Sequence, residues 1–407
     1  MWIPYLTPAR IRSHSKVLVF AYALGGLIGY LRPFFFKNSD LAYPTADFVC
    51  FYAAGRLAAL GRAKDAYDIF KIHEVYSSVL PNQISGGGLG WYYPPTFFLP
   101  LDPLSGLEYF PALLSWVLVT ALLFAIALRP LLNSRTEAWV IAASAPVVFN
   151  AFAGQNGLLT ASLIVLLYRF LPSNPALAGM ALGLMSYKPH FGILFIVLAM
   201  AMGKWRVIFN ATITTAVLIL ASIYFHGLEP WRAFFTENLK NLSALHSQVG
   251  SFSMPQISSV YYFSLSLGFS VSAAKALQIA FIILCAVSIV FLAKKGAKYN
   301  LVFACTVTAA LPAAPHNFPY DWAILTLPCL ILWQEIEKTG ERAFERLTIL
   351  VLMFGIIPLF ILPQNWQFSP GAVLPLTLLV LLVRRTRQNL NSAWATADSI
   401  GAKSPFS

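Results

Sequence analysis

The stretch "FPALLSWVLVTALLFAIAL", residues 110–128, runs for 19 positions without a charged side chain. Few environments accept such a segment, and a membrane-crossing helix of about 20 residues is the one it fits. Comparable long runs fall at 17–33, 206–225, 272–293, 346–362 and 371–384, and the first of these extends the candidate 110–130 into a series. Shorter apolar runs lie at 137–152, 157–171, 175–187, 190–203, 299–314 and 320–333, with a partial one at 256–270. A mean hydropathy of +0.68 with 11% charged residues excludes a water-soluble globule. The pattern predicts an all-α integral membrane protein of about 12 transmembrane helices. Several runs are too short for a full crossing, so they cross at a pinch, run longer than drawn, or re-enter.

Charge orients this set. Arg10, Arg12 and Lys16 precede the first run, which predicts a cytoplasmic N-terminus. Alternation then places inside the loops bearing Arg129/Arg135, Arg169, Lys204/Arg206, Lys294/Lys295/Lys298, Lys338/Arg342/Arg346 and Arg384/Arg385/Arg387. That side receives 18 of the 28 basic residues but 6 of the 16 acidic ones, so the whole formal charge of +12 sits on it. Basic flanks of a bilayer account for the high isoelectric point, and no nucleic-acid partner is required. Both termini are expected in the cytoplasm. The first run lacks a small-residue cleavage site and reads as a retained signal anchor. Cys50, Cys285, Cys305 and Cys329 show no metal or redox spacing, which leaves packing as their expected role.

Residues 1–387 read as one polytopic domain without internal repeats. Two long outward loops interrupt it, 34–109 and 227–258. In the first, "FVCFYAAGRLAAL" and "AYDIFKIHEVYSSVL" are expected to form amphipathic helices at the membrane interface. The Ser/Ala/Asn-rich tail, 388–407, is expected to be disordered.

Polar groups near apolar segments are costly, and here they share a side. Asp47, Asp68, the "WYYPP" of 91–95, the "GQN" of 154–156, Lys188-Pro189-His190 and the "PHNFPYD" of 315–321 all fall at outward ends. The runs flanking Lys188 are the shortest, so its turn is expected on the floor of a water-accessible outward cavity. Each feature fits a plainer account as well. Asp47 suits a helix N-terminus, and Asp68 suits a cap or turn. "WYYPP" suits an interfacial aromatic belt with a turn, and Gln155-Asn156 suits the closing of a tight hairpin. Lys188 suits snorkelling, although on the side that the positive-inside rule disfavours. His316 and Asp321 suit a buried structural pair.

Taken together these groups match glycosyl transfer from a lipid phosphate. A carboxylate takes the proton of the incoming hydroxyl, cations hold the departing phosphate, and aromatic faces pack on sugar and isoprenoid. Asp47, then Lys188 with His316, then Trp91, Tyr92 and Tyr93 supply these in turn, with Gln155 and Asn156 placed to bond sugar hydroxyls. An ordinary or depressed pKa at Asp47 would suffice. The main alternative is a transporter or flippase of a lipid-linked or small polar solute, which should carry polar groups in both membrane halves. A non-catalytic envelope scaffold is a third reading, and it predicts tolerance of alanine at each outward polar residue.

In order along the chain, "DFVCFYAAGRLAALGRAKDAYD", "WYYPPTFFLPL", "NAFAGQNGLLTASL", "LAGMALGLMSYKPHFGILFIVLAMAMGKWR" and "PHNFPYDWAILTLP" resemble glycosyltransferase family 87, from about residue 45 to about 335. These are polyprenyl-phosphate-mannose-dependent α-mannosyltransferases of the GT-C superfamily. The resemblance implies a GT-C multi-helix bundle and an inverting single displacement, from a β-linked donor to an α-linked product. It implies Asp47 as general base, with Lys188, His190 and His316 toward the donor phosphate. Tyr320 and Asp321 would join the aromatic and amide groups at sugar and acceptor, while Asp68 is structural. Its partners would be a polyprenyl-phosphate sugar, a lipid or glycan acceptor and membrane lipids. No cofactor is expected, and the outward acids form no Asp-x-Asp pair, so no metal is expected either. The composition fits a bacterial inner membrane with the active face toward the periplasm.

Overall fold

A computed structural model describes residues 8–35, 47–80, 90–247, 257–355 and 368–399. Among them the secondary structure is helical throughout, without strands. The helices are α1 (Pro8–Phe35), α2 (Phe48–Ala59), α3 (Ile69–Val79), α4 (Tyr109–Leu128), α5 (Arg135–Ala142), α6 (Ala145–Ala153), α7 (Gly157–Phe170), α8 (Pro175–Leu184) and α9 (Pro189–Ala201). They continue with α10 (Trp205–His226), α11 (Glu229–Ser247), α12 (Val260–Ser266), α13 (Val271–Lys294), α14 (Tyr299–Ala313), α15 (Thr326–Thr339), α16 (Glu345–Phe354) and α17 (Val373–Ser399). Short 3₁₀ turns link several of them.

Among the described residues three helical stretches are long and apolar enough to cross a bilayer: Tyr109–Leu131, Trp205–His226 and Val271–Lys294. Each turns an apolar row outward, at every third or fourth residue. Leu114, Leu118, Leu122 and Ile126 form the row on α4; Phe209, Ile213, Val217, Leu220 and Tyr224 that on α10; Ile279, Ile283 and Val287 that on α13. Such rows would be a large hydrated patch in water and are at rest against lipid. A fourth span is formed if α5 and α6, bent by 48° at their junction, count as one. The break falls where Ser144 is extended and Pro146 enters the first turn of α6, where its missing N–H costs no helical bond.

The other apolar helices, Phe48–Ala59, Gly157–Phe170, Pro175–Tyr187, Pro189–Ala201 and Tyr299–Ala313, are shorter. By length and composition, then, three segments among the described residues meet the requirement for a span, or four with the bent pair. Part of the 346–362 run, parts of both long loops and the end of the tail, 400–407, lie outside the described residues.

The chain divides into two compact units. The first comprises Met1–Leu163, Gly183–Lys188 and Thr212–Phe252. Its centre is α2, buried from Phe48 to Ala58 apart from Arg56. Gly55 lies against the neighbouring loop, where a Cβ would stand 3.2 Å from Leu101 Cβ, and Arg56 donates to the Ser105 carbonyl at 2.7 Å. The turn 63–67 is tied by Asp65, which pairs with Arg62 at 2.8 Å and Lys71 at 2.9 Å. Burial pushes the Asp65 carboxyl upward, but those two cations outweigh it and hold it below its ordinary range.

The second unit comprises Ile164–Leu182, Pro189–Ala211 and Ser253–Ser407. There α14 is buried from Leu301 to Ala313 and packs against α9, α13, α15 and α17. Gly179 on α8 lies against α10: a Cβ there would stand 2.4 Å from Asn210 Cβ, so only glycine permits the crossing. Where α15, α16 and α17 meet, the buried Arg385 guanidinium donates to both oxygens of the equally buried Glu345. Its remaining N–H groups reach the Thr339 hydroxyl at 2.6 Å and the Gly340 carbonyl at 2.8 Å.

Candidate active site

Asp47 occupies the N-cap of α2, but its side chain makes no capping bond to the helix. Its carboxylate is instead met from 108 positions along the chain by Gln155, whose Nε2 donates to Oδ2 at 3.4 Å. Burial raises the Asp47 pKa to about 6, and the Gln155 bond pulls against that rise. The value stands above the ordinary or depressed one that would suffice for a base, because the carboxylate at the head of α2 is largely withdrawn from solvent.

The backbone at 150–157 explains how Gln155 arrives there. Gly154 ends α6 with φ 63°, in the left-handed region. A Cβ at that position would stand 2.6 Å from Phe48 Cβ and 2.8 Å from Leu113 Cδ1. The glycine lets the turn press onto the first residue of α2, and the next side chain faces Asp47. Gln155 is fixed at both backbone ends: its N–H donates to the Asn150 carbonyl at 3.2 Å, and its carbonyl accepts from Trp116 Nε1 at 3.3 Å. Asn150 Oδ1 in turn accepts from Leu158 N–H at 3.3 Å. Asn156 is buried at 0% exposure, and neither polar atom of its amide has a hydrogen-bond partner among the described residues. A buried amide without partners is expensive, so this is a polar position looking for a ligand or water.

The "WYYPP" segment contributes an aromatic wall. Trp91, 2% exposed, is stacked on Phe98 (centroids 5.3 Å apart) and meets Phe51 edge-on at 6.2 Å. It is a packing residue of this wall. Tyr92 and Tyr93 are half-buried. Their carbonyls are pinned, Tyr92 by Asn238 Nδ2 at 3.3 Å and Tyr93 by Tyr67 OH at 2.8 Å. The Tyr93 ring lies 6.0 Å from Lys188 Nζ, a distance at which a cation is drawn to a ring face. Lys188 is buried at 5% exposure. Tyr187, which sequence reasoning passed over, stacks on Phe97 at 4.6 Å and shares a 2.7 Å hydrogen bond with Thr160. The available signal was its position beside Lys188 and the helical spacing of Thr160 from Asn156.

Beneath Asp47 the groups are neutral. Cys50 lies three residues along α2, with its thiol directed at the Gly90 carbonyl, and burial pushes that thiol up to about 12. Burial raises Tyr76 well above its usual range, and both Cys50 and Asp47 add to the rise. Tyr92 is raised by burial and then by Cys50. Asp68 stands apart as a helix cap: Oδ1 accepts from Phe70 N–H at 3.0 Å and Lys71 N–H at 3.4 Å, opening α3.

The remaining candidates belong to the second unit. His190 is half-buried in the first turn of α9, its ring 4.7 Å from that of Phe191. His316 is half-buried with its ring 5.8 Å from Tyr262. The turn that presents it is built by Asn317, which donates to the Leu311 and Ala314 carbonyls at 2.9 and 3.0 Å and accepts from Ser258 N–H at 3.1 Å. Asp321, 2% exposed, accepts from Phe318 N–H at 3.1 Å and so closes the start of the turn Pro319–Leu325. Tyr320 stacks on Phe318 at 5.6 Å.

A family model described as glycosyltransferase family 87 matches residues 91–315. Asp47 precedes the matched stretch; His316, Tyr320 and Asp321 follow it. No curated protein and no solved structure matches the chain.

Proposed function

Because the chain belongs to glycosyltransferase family 87, we propose that it moves a hexosyl unit, mannosyl by the family resemblance, from a polyprenyl-phosphate donor to a lipid or glycan acceptor. The observation that carries this reading is Asp47: a partly buried carboxylate at the head of α2, with a pKa raised to about 6 and, among the described residues, one polar partner in Gln155. A carboxylate of that pKa is ionised at neutral pH and is a stronger proton acceptor than an exposed aspartate.

In the proposed step the acceptor hydroxyl gives its proton to Asp47, and its oxygen bonds to the anomeric carbon. The bond from that carbon to the phosphate oxygen breaks, and its electron pair leaves with the phosphate. One displacement inverts the anomeric centre, so one base suffices, with the acceptor in the place that water takes in hydrolysis. The family resemblance assigns Lys188, His190 and His316 to the donor phosphate, on which charge gathers. It assigns Tyr92, Tyr93, Gln155, Asn156, Tyr320 and Asp321 to sugar and acceptor, with Trp91 packed against the Tyr93 ring at 5.1 Å.

The proposal includes a GT-C bundle of about 12 spans within a single domain, 1–387, with loops 34–109 and 227–258 on the active side and a cytoplasmic tail. The supporting observation is the charge asymmetry, with the whole +12 assigned to the opposite side. In a bacterium that places the site at the periplasmic face of the inner membrane. An impermeant thiol reagent should label a Lys188→Cys variant from the periplasm; labelling from the cytoplasm alone would overturn the orientation.

The test of activity supplies purified protein in detergent with a panel of polyprenyl-phosphate sugars and a lipid extract as acceptor, read by mass spectrometry. The expected result is sugar added by the wild type and lost in Asp47→Asn. Binding of the lipid phosphate without transfer of any sugar in the panel would overturn the donor class and direct attention to lipid flipping.

A further inference from the structure

The amide of Gln155 is arranged as though for one purpose. Its nitrogen faces the Asp47 carboxylate at 3.4 Å. That orientation follows from chemistry, since an ionised carboxylate only accepts, so the NH₂ group must be the one turned toward it. The amide oxygen is buried and has no donor among the described residues, in a side chain 8% exposed. Leaving that oxygen unpaired carries a desolvation cost that methionine or leucine of similar length would avoid. Three features of the backbone nevertheless hold the amide there: the left-handed Gly154, the bond to Asn150 and the bond from Trp116.

We propose that Gln155 is the positioning residue of the base: its Nε2 orients the Asp47 carboxylate and sets the pH at which that carboxylate becomes able to take a proton. This rests on the reading of Asp47 as base. The other titratable groups that act around Asp47 are Cys50 on its own helix, Tyr76 on α3, and Tyr92, which is coupled to Cys50. Burial keeps all three protonated and neutral near pH 6, so none competes with Gln155 for control of the carboxylate charge. Donation to the ionised form lowers a carboxyl pKa, and removal of the donor must raise it.

The experiment is an infrared pH titration of the purified full-length protein in detergent, following the protonated-carboxyl band. It runs alongside the pH dependence of transfer from polyprenyl-phosphate mannose to lipid extract. In the wild type a band with a midpoint near 6 is expected, and it should be absent in Asp47→Asn. In Gln155→Met the midpoint should rise by about 0.5–1 pH unit, with the acid limb of kcat/KM moving in parallel. Gln155→Asn keeps an amide but falls short of the carboxylate, so it should behave alike if the methionine variant fails to fold. An unmoved midpoint in the folded variants overturns the inference, as does a moved midpoint with an unmoved acid limb. Full transfer by Asp47→Asn would instead overturn the assignment of the base, and leaves the infrared coupling to be judged separately.

Discussion

Two carboxylates in this molecule, Glu345 fully buried and Asp47 partly so, are treated in opposite ways. Glu345, at the meeting of α15, α16 and α17, has both oxygens bonded by Arg385, and one of them also accepts from Arg342 N–H at 2.9 Å. Asp47, at the head of α2, has among the described residues one long bond from Gln155 and none from the helix it caps. Burial is common to both regions; satisfaction is not. A saturated carboxylate has no capacity left for a substrate and serves as a clamp. An undersupplied one keeps a lone pair for a proton, and burial sharpens its appetite.

The most severe test of the contrast replaces one side chain at each place. Asp47→Asn should lower transfer by about 10²–10⁴-fold, with the melting temperature unchanged or slightly raised, because an ionised group leaves a buried position. Arg385→Met should do the reverse. It strands the Glu345 charge and should cost about 3–5 kcal/mol of stability, measured by thermal denaturation in detergent, and Glu345→Leu added to it should recover much of the loss. A large activity loss in the Arg385→Met/Glu345→Leu pair, at recovered stability, would break the comparison.

Gly154→Ala tests whether the turn places Gln155. It forces a side chain into the left-handed region and against Phe48, at a cost of about 1–3 kcal/mol. Transfer should fall more than stability does, since the displaced turn carries Gln155 away from Asp47. The pH profile sharpens the same point. With the Asp47 pKa raised to about 6, the base is ionised above that value and protonated below it, so kcat/KM should be flat near neutrality and fall tenfold per unit as pH drops below about 6. A limb near pH 4 would mean that the carboxylate is not buried as described. The smallest effect belongs to Asp68→Ala, which removes a helix cap and should cost about 1 kcal/mol, with transfer kept within a few-fold.

Local chemistry was readable from the chain. Asp68 as a cap follows from spacing of two and three residues, and each predicted apolar run overlaps a helix because hydropathy is a property of the segment itself. The site was legible as a list of residue types but not as an arrangement. Nothing near Asp47 in sequence announces Gln155, which stands 108 residues away. Trp91, read as a sugar platform, lies inside the aromatic wall because its neighbours Phe51, Phe97 and Phe98 cover it. Tyr187 and Thr160 went unremarked, since a tyrosine and a threonine carry no pattern until folding sets them 2.7 Å apart.

By itself the sequence determined the solvent and the helical class, because apolar length acts through local partitioning into a bilayer. Only the tertiary structure decided which carboxylate is left wanting a proton. That depends on the depth to which α2 is packed and on a left-handed glycine that brings a distant amide to its first residue, and both are settled by contacts between segments far apart in the chain.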